Sequence, residues 1–300
     1  MSVIAKFSHW EECSFNEYKQ SCLDFGYNCE SAPEFLKFML RHNAPLKFFS
    51  YSKKGRILGG ACVENGWLAN DFKNQSRLIK SLPIPNSSIY IPLDLNVKDR
   101  ILIPFKSKCL HSFQKQFFIN SSYEWFSKRK VAIAKDPSIS FSKKTIATRE
   151  REVRNFIKSG GSFKPISDVS SDVFFDMYNE LYYARRNKHV SDVELNREFF
   201  KEFHNRFKGD VMMIGGDPVA IQLLLSADSP AGFFVDYINI GYKQGRFGTS
   251  LGTVLMWKNL TTLSSEAQSI NKMLYYSYGF MSGEYKKRWC NPESVGRSLI

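Results

Sequence analysis

One succession of elements is written twice along this 300-residue chain. In each half, at least two helix signals precede a hairpin signal. The first half opens on a capping box, Ser14 with Glu17, and Gly26 is its natural stop. A second box, Ser31 with Glu34, follows, and Pro33 is tolerated in a first turn. Phe35, Phe38, Met39 and His42 then recur at helical spacing. Strand-like runs over 46–52 and 56–63 meet at Lys53-Lys54-Gly55, a hairpin signature. The second half predicts a helix over 148–158, stopped by Gly160-Gly161, and another over 172–188 capped by Ser170 or Ser171. A third starts at the box Ser191 with Glu194 and carries Leu195, Phe199, Phe203 and Phe207 four apart. A hairpin over 210–214 and 219–225 then turns at Gly215-Gly216-Asp217-Pro218. Second box and turn lie 24 residues apart in the first half (Ser31, Gly55) and 25 in the second (Ser191, Gly216). The repeat carries no sequence identity, but its order points to two similar domains, for which 300 residues suffice.

Between the halves, residues 127–148 read as a linker, because Pro137, scattered Ser and Thr, and many Lys break both periodicities. The expected division is therefore 1–126, a linker over 127–148, and 149–300. Further strands are expected over 88–93, 100–105, 232–240 and 273–278, and a helix over 249–263.

Charge is uneven. The chain carries a formal +13, and residues 127–164 hold eleven Lys or Arg against three acids, a net +8. Such a balance favours anionic partners: nucleic acid, lipid head groups or a nucleotide-like cofactor. No helix-turn-helix, zinc-finger or RNA-binding signature accompanies the basic run, so nucleic acid is the weaker reading. An anionic membrane surface remains a candidate partner. The six cysteines (Cys13, Cys22, Cys29, Cys62, Cys109, Cys290) form no C-x-x-C pair and the five histidines do not cluster with them. No metal site is expected, and the thiols are read as free in a reducing compartment. The N-terminus lacks a long apolar stretch, and no apolar run approaches the roughly 20 residues that span a bilayer. The reading is a cytoplasmic protein whose membrane association would be peripheral, at the inner face.

Two segments carry chemistry. The strand over 232–240 runs into Gly241-Tyr-Lys-Gln-Gly-Arg-Phe-Gly-Thr-Ser-Leu-Gly252, which opens a helix. Small residues let backbone N–H groups approach an anion, and the helix N-terminus adds positive potential. Lys243, Arg246, Gly248, Thr249 and Gly252 are the candidate cofactor-binding residues. The second segment is Tyr276-Ser-Tyr-Gly-Phe-Met-Ser-Gly-Glu-Tyr-Lys-Lys-Arg-Trp-Cys290, where a basic aromatic stretch re-enters after Gly279 and Gly283. A charged cluster flanked by large aromatics needs water or an anionic partner.

The hairpin, strand, helix and late Tyr285-Lys286-x-x-Trp289 motif resemble the GCN5-related N-acetyltransferase (GNAT) superfamily, in the branch of the Fem-type aminoacyl transferases and BioF2-like domains. The resemblance covers about residues 149–290. The full length and the stretch 276–290 look closer still to the macrophage-induced (Mig-fourteen) virulence family of enteric bacteria. The resemblance implies an α+β fold of tandem GNAT-like domains, each a mixed, mostly antiparallel sheet flanked by helices. It also implies a place in resistance to cationic antimicrobial peptides at the inner membrane face. The implied donor is acyl-CoA or aminoacyl-tRNA, and the implied target an envelope component or cationic peptide. One departure stands out: the Arg/Gln-x-x-Gly-x-Gly/Ala spacing of the pyrophosphate loop is not met around Gly245 and Gly248, which argues against a conventional acetyl-CoA donor.

Such chemistry needs a base for the acceptor amine, an acid for the leaving group and a donor for the oxyanion. Asp236, set in an apolar strand, is the candidate base, since a carboxylate there must be paired or face a cleft. Tyr278 or a neighbouring tyrosine is a candidate acid. Tyr285 and Lys286 match the Fem-like motif, where the Lys holds an anionic substrate. Arg185, Arg186 and Lys188, at a helix C-terminus, and Trp289 are candidate substrate contacts. The reading is a GNAT-fold acyl- or aminoacyltransferase. The rivals are a non-catalytic GNAT-like module that binds anionic membrane or peptides, and a nucleic-acid-binding regulator.

Overall fold

A computed structural model describes residues 8–74, 77–124, 129–245 and 250–300. The first half builds a four-stranded sheet in the order β1-β2-β3-β4, from Trp10–Cys13, Leu46–Lys53, Arg56–Glu64 and Trp67–Leu68. Helices α1 (Phe15–Phe25), α2 (Pro33–Arg41) and the short α3 (Arg77–Ser81) accompany it. The β2–β3 hairpin turns at Lys54 and Gly55, both left-handed, the conformation a two-residue hairpin loop needs. The first capping box forms as expected: Ser14 accepts from Glu17 N while Glu17 reaches back to Ser14 N. The second does not. Ser31 sits in a 3-10 turn, Cys29–Ser31, where its hydroxyl bonds Asn28, and α2 starts after Ala32 without a side-chain cap. Likewise Asp192, not Ser191, precedes the helix Val193–Glu202, again without a side-chain cap.

The runs over 88–93 and 100–105 are not strands. They make single bridges, Gly59 with Leu93, Ile89 with Leu110 and Ile101 with Phe118. Pro85, Pro92 and Pro104 lack the N–H a ladder needs, and the segments pack as irregular layers of the core instead, with Ile89, Ile91, Leu93, Ile101 and Ile103 buried.

The second half is one eight-stranded sheet. Its order is β13-β6-β12-β11-β10-β9-β7, with β8 (Phe207–Lys208) also pairing β10. The strands are β6 (Lys130–Ala134), β7 (Gly161–Pro165), β9 (Asp210–Ile214), β10 (Asp217–Ser229), β11 (Gly232–Tyr242), β12 (Leu274–Phe280) and β13 (Cys290–Ser294). A small ladder joins β14 (Arg297–Ser298) to β5 (Ser121–Ser122). Helices α4 (Lys143–Lys158), α5 (Ser171–Arg186), α6 (Val193–Glu202), α7 (Leu251–Ser269) and α8 (Glu284–Trp289) cover its faces. The segment read as a linker is therefore structured: β6 lies inside the sheet between β12 and β13, and α4 begins at Lys143, capped by the Ser142 hydroxyl on Thr145 N.

A single aromatic core crosses the halves. Phe35 and Phe38 of α2 pack on Phe199 of α6 and on Phe203, its C-cap, with ring centroids 4.9 Å apart for Phe35–Phe203 and 5.3 Å for Phe38–Phe199. Tyr27 and Ser229 stitch the same seam: Tyr27 N donates to Ser229 Oγ, which donates to Tyr27 O. Gly26 permits the approach, for a Cβ there would stand 2.4 Å from that of Ala231.

Candidate functional site

The site follows from how two strands part. β11 and β12 are parallel neighbours joined by α7, but they pair only from Phe233 with Leu274 to Asp236 with Ser277. Beyond that point β11 runs on to Tyr242 and β12 to Phe280 without a shared ladder, so the sheet forks. On the other edge of β11 the register with β10 slips: Leu224 faces Tyr237 while Leu223 faces Asn239, which leaves Ile238 as the extra residue of a bulge. Past the fork, residues 237–240 keep their ladder with β10 except at the bulged Ile238, while their other edge has no partner in β12.

Side chains from both flanking helices close on that stretch. Arg185, at the end of α5, donates through Nη1 to Asn239 Oδ1 at 3.2 Å and to Ile240 O at 2.7 Å, and lies over the Tyr242 ring. Tyr237 is half-buried against Tyr278, with centroids 5.1 Å apart; burial raises its pKa, and Tyr285 and Arg185 stand near enough to act on it. Tyr178 of α5 reaches Asn239. α5 comes this close because Gly241 has no side chain: a Cβ there would meet the backbone of Leu181 at 2.7 Å. Tyr285 in α8 is 46% exposed at this mouth.

Lys286 holds the opposite lip. It is only 5% exposed, and its Nζ donates to Tyr278 O and Phe280 O, each at 2.6 Å. Among the described residues no carboxylate pairs with it, and burial lowers its pKa. The lysine expected to hold an anionic substrate thus satisfies carbonyl groups that β12 exposes where it leaves β11. Its neighbour Cys290 is an inert thiol, pushed up to about 12 by burial.

Asp236 stands at the root of the fork, on the face that the first half covers. It is 5% exposed, and burial lifts its pKa to about 7 against hydrogen bonds from Cys29 and Ser277. Tyr278 is buried in the sheet beside Tyr276; burial raises its pKa, and Tyr276 and Gln222 stand close enough to its hydroxyl to act on it.

The remaining candidates scatter. Arg186 and Lys188 are exposed near the end of α5. Lys243 pairs with Glu180 at 3.4 Å. Gly252 lies in the first turn of α7. Arg246, Gly248 and Thr249 lie outside the described residues. Trp289 does not join the fork: it packs under α7 against Phe141 and Trp257, with Arg149 over its ring. Sequence reasoning missed Tyr237 and Asn239. Tyr237 and Asn239 lie in the predicted strand, but only the fork and bulge give them a role. Among the described residues no group of three His, Cys, Asp or Glu side chains is placed to hold a metal ion, and no helix is long and apolar enough to cross a membrane.

Comparison with known proteins places this geometry. The Mig-14 family profile matches residues 34–298, and the chain belongs to that family. No curated protein sequence matches it. Among solved structures, FemX is similar over 97% of each chain at 9% identity with a TM-score of 0.56. A tandem GNAT protein from the clavulanic acid biosynthesis pathway is similar over 97% of each chain at 10% identity with a TM-score of 0.46. L-PGS from Bacillus licheniformis matches over 58% of this chain at 14% identity with a TM-score of 0.38, and the chain spans 60% of that structure's length. The α+β fold is the expected one, with an antiparallel sheet and a mixed sheet flanked by helices, and over nearly the whole chain it is similar to that of FemX.

Proposed function

We propose that this Mig-14 family member is a GNAT-fold transferase that moves an acyl or aminoacyl group to an amine or hydroxyl. The observation that carries the reading is the fork between β11 and β12, with Arg185, Tyr237 and Tyr285 converged on its lips. An extended donor arm fits a gap in a sheet, where the edge of β11 that β12 leaves beyond Asp236 offers backbone groups to bond it. The acceptor nitrogen attacks the acyl carbonyl, and the carbon–nitrogen bond forms as the bond to the donor's leaving atom breaks. Asp236, near pKa 7 at the root of the fork, takes the proton from the acceptor. Tyr285, at the open mouth, returns one to the leaving group. Arg185 fixes the bulged backbone, and Lys286 holds β12 in its parted position. Exposed Arg186 and Lys188 meet an anionic part of a substrate. The proposed biological setting, which the resemblance to the Mig-fourteen family implies, is resistance to cationic peptides, with an envelope component or the peptide as acceptor.

The test is a thermal shift of the full chain with acetyl-CoA, longer acyl-CoAs and free CoA, for wild type and Arg185→Ala. Saturable stabilisation by a thioester beyond that by CoA, lost in the variant, supports acyl transfer. No shift with any of them removes the CoA donor and leaves aminoacyl-tRNA, to be assayed by transfer of a labelled amino acid.

A further inference from the structure

The end of α5 and the bend that follows it stand beside the open end of the fork. Gly241 lets α5 touch β11 at Leu181, and Arg185 is bonded to Asn239 Oδ1 and Ile240 O on that lip. Around this grip the chain builds a second feature. Tyr183, in the last turn of α5, and His189, beyond its end, stack nearly parallel, with ring centroids 4.5 Å apart and planes 16° from each other. The bend between them is fixed at both ends. Asn187 takes the left-handed conformation that closes the helix, and its N–H donates to Tyr183 O at 2.8 Å. Val190 N donates to Asn179 Oδ1 at 3.0 Å. The backbone thus folds His189 back onto the helix, yet the pair is not core: Tyr183 is 44% exposed, and His189 is exposed too.

Charge around the pair has one sign. From Leu181 to Val190 the chain carries Arg185, Arg186, Lys188 and His189, and no acid. The acids of the neighbouring elements are matched: Glu180 lies 3.4 Å from Lys243, and Glu284 of α8 lies 2.8 Å from Lys287. Arg186 and Lys188 are exposed, and among the described residues neither forms an ion pair. An exposed pair of parallel rings among cations selects its ligand by two properties at once. A planar unsaturated group stacks on the rings, and an anion is drawn to the arginine and the lysine. A lipid head group brings the charge without the plane. A cationic peptide is repelled. A nucleotide brings both.

We propose that Tyr183 and His189, with Arg186 and Lys188, form a stacking platform for the nucleotide end of the group donor. What the nucleotide carries rests on the transferase reading above; the binding itself does not. The recognised chemistry is an adenosine with its phosphate, which coenzyme A and the terminal nucleotide of a transfer RNA share. Base and phosphate rest on the platform while the acyl group reaches the fork past Arg185.

The test is calorimetric titration of the full chain with three probes. They are adenosine 3′,5′-bisphosphate, the 5′-phosphorylated trinucleotide CCA, and ribose 5-phosphate, which has the phosphate without a base. The bisphosphate or the trinucleotide should bind saturably, and ribose 5-phosphate roughly tenfold more weakly or worse. Tyr183→Ser should weaken the nucleotide by roughly five- to hundredfold, whereas Tyr183→Phe, which keeps the ring, should stay within about twofold of wild type. Arg186→Gln and Lys188→Gln should each weaken binding and flatten its salt dependence. Tyr183 belongs to none of the buried clusters. Should Tyr183→Ser nevertheless fail to fold, His189→Ser, on the bend outside the helix, reads the same stack. A preference for the bisphosphate assigns coenzyme A as the source and a preference for the trinucleotide assigns transfer RNA; both support the platform. No saturable binding of either, equal binding of ribose 5-phosphate, or binding indifferent to Tyr183→Ser and His189→Ser overturns it. Stabilisation by a thioester together with a platform that fails would keep the transferase reading and lose this proposal. A platform that binds without any transfer would do the opposite.

Discussion

The two halves begin alike and then diverge. Both carry helices before a tight hairpin, closed at Lys54-Gly55 in one and Gly215-Gly216 in the other. After its hairpin the second half continues into β11, α7 and β12, and that parallel crossover is what makes a fork possible. After its own hairpin the first half meets Pro83, Pro85, Pro92 and Pro104 and never lays down another long strand. Ahead of that hairpin, its 3-10 turn sets Cys29 against the second sheet, where the thiol donates to Leu225 O. A duplicated opening thus supports two jobs, one half housing the candidate site and the other covering it.

That contrast can be broken most forcefully at the shared core. Phe199→Ala removes a fully buried ring that touches both Phe35 and Phe38, and should cost about 3–5 kcal/mol. One cooperative urea transition shifted as a whole is expected; two separate transitions would show halves that stand alone. Next comes the fork. Lys286→Met keeps much of the side-chain volume but strips the donor from Tyr278 O and Phe280 O, at about 1–3 kcal/mol. Hydrogen exchange should quicken locally in β12 and α8 while the first half is unchanged. Uniform quickening would deny Lys286 its local role. The smallest effect sharpens the boundary between halves. Ser142→Ala removes the cap of α4 and should cost about 1 kcal/mol. No change in unfolding midpoint would mean that this turn frays in the native state.

The sequence was most readable where local chemistry and final structure agree. Both hairpins, β11, α7 and the strand before Gly279 follow from alternation, turn residues and glycine punctuation, and Arg185 and Tyr285 do meet at the mouth of the fork. Reading failed where a partner distant in sequence overrides a local signal. Ser31 looks like a cap, but its hydroxyl is claimed by Asn28. The lysines around Val131 and Ile133 hide a short inner strand. Tyr285 and Lys286 are adjacent and look equivalent, yet one faces the mouth while the other is spent on carbonyls.

The place of β6 has a consequence for biosynthesis. Its two ladder partners, β12 and β13, are made about 150 residues after it. At roughly 5–20 residues per second, the ribosome leaves this basic strand without either neighbour for on the order of ten seconds. Val131 and Ala132, wholly buried in the finished sheet, wait in the open with two bare edges. The lysines and arginine around them then act as gatekeepers, holding nascent chains apart until the last strands arrive.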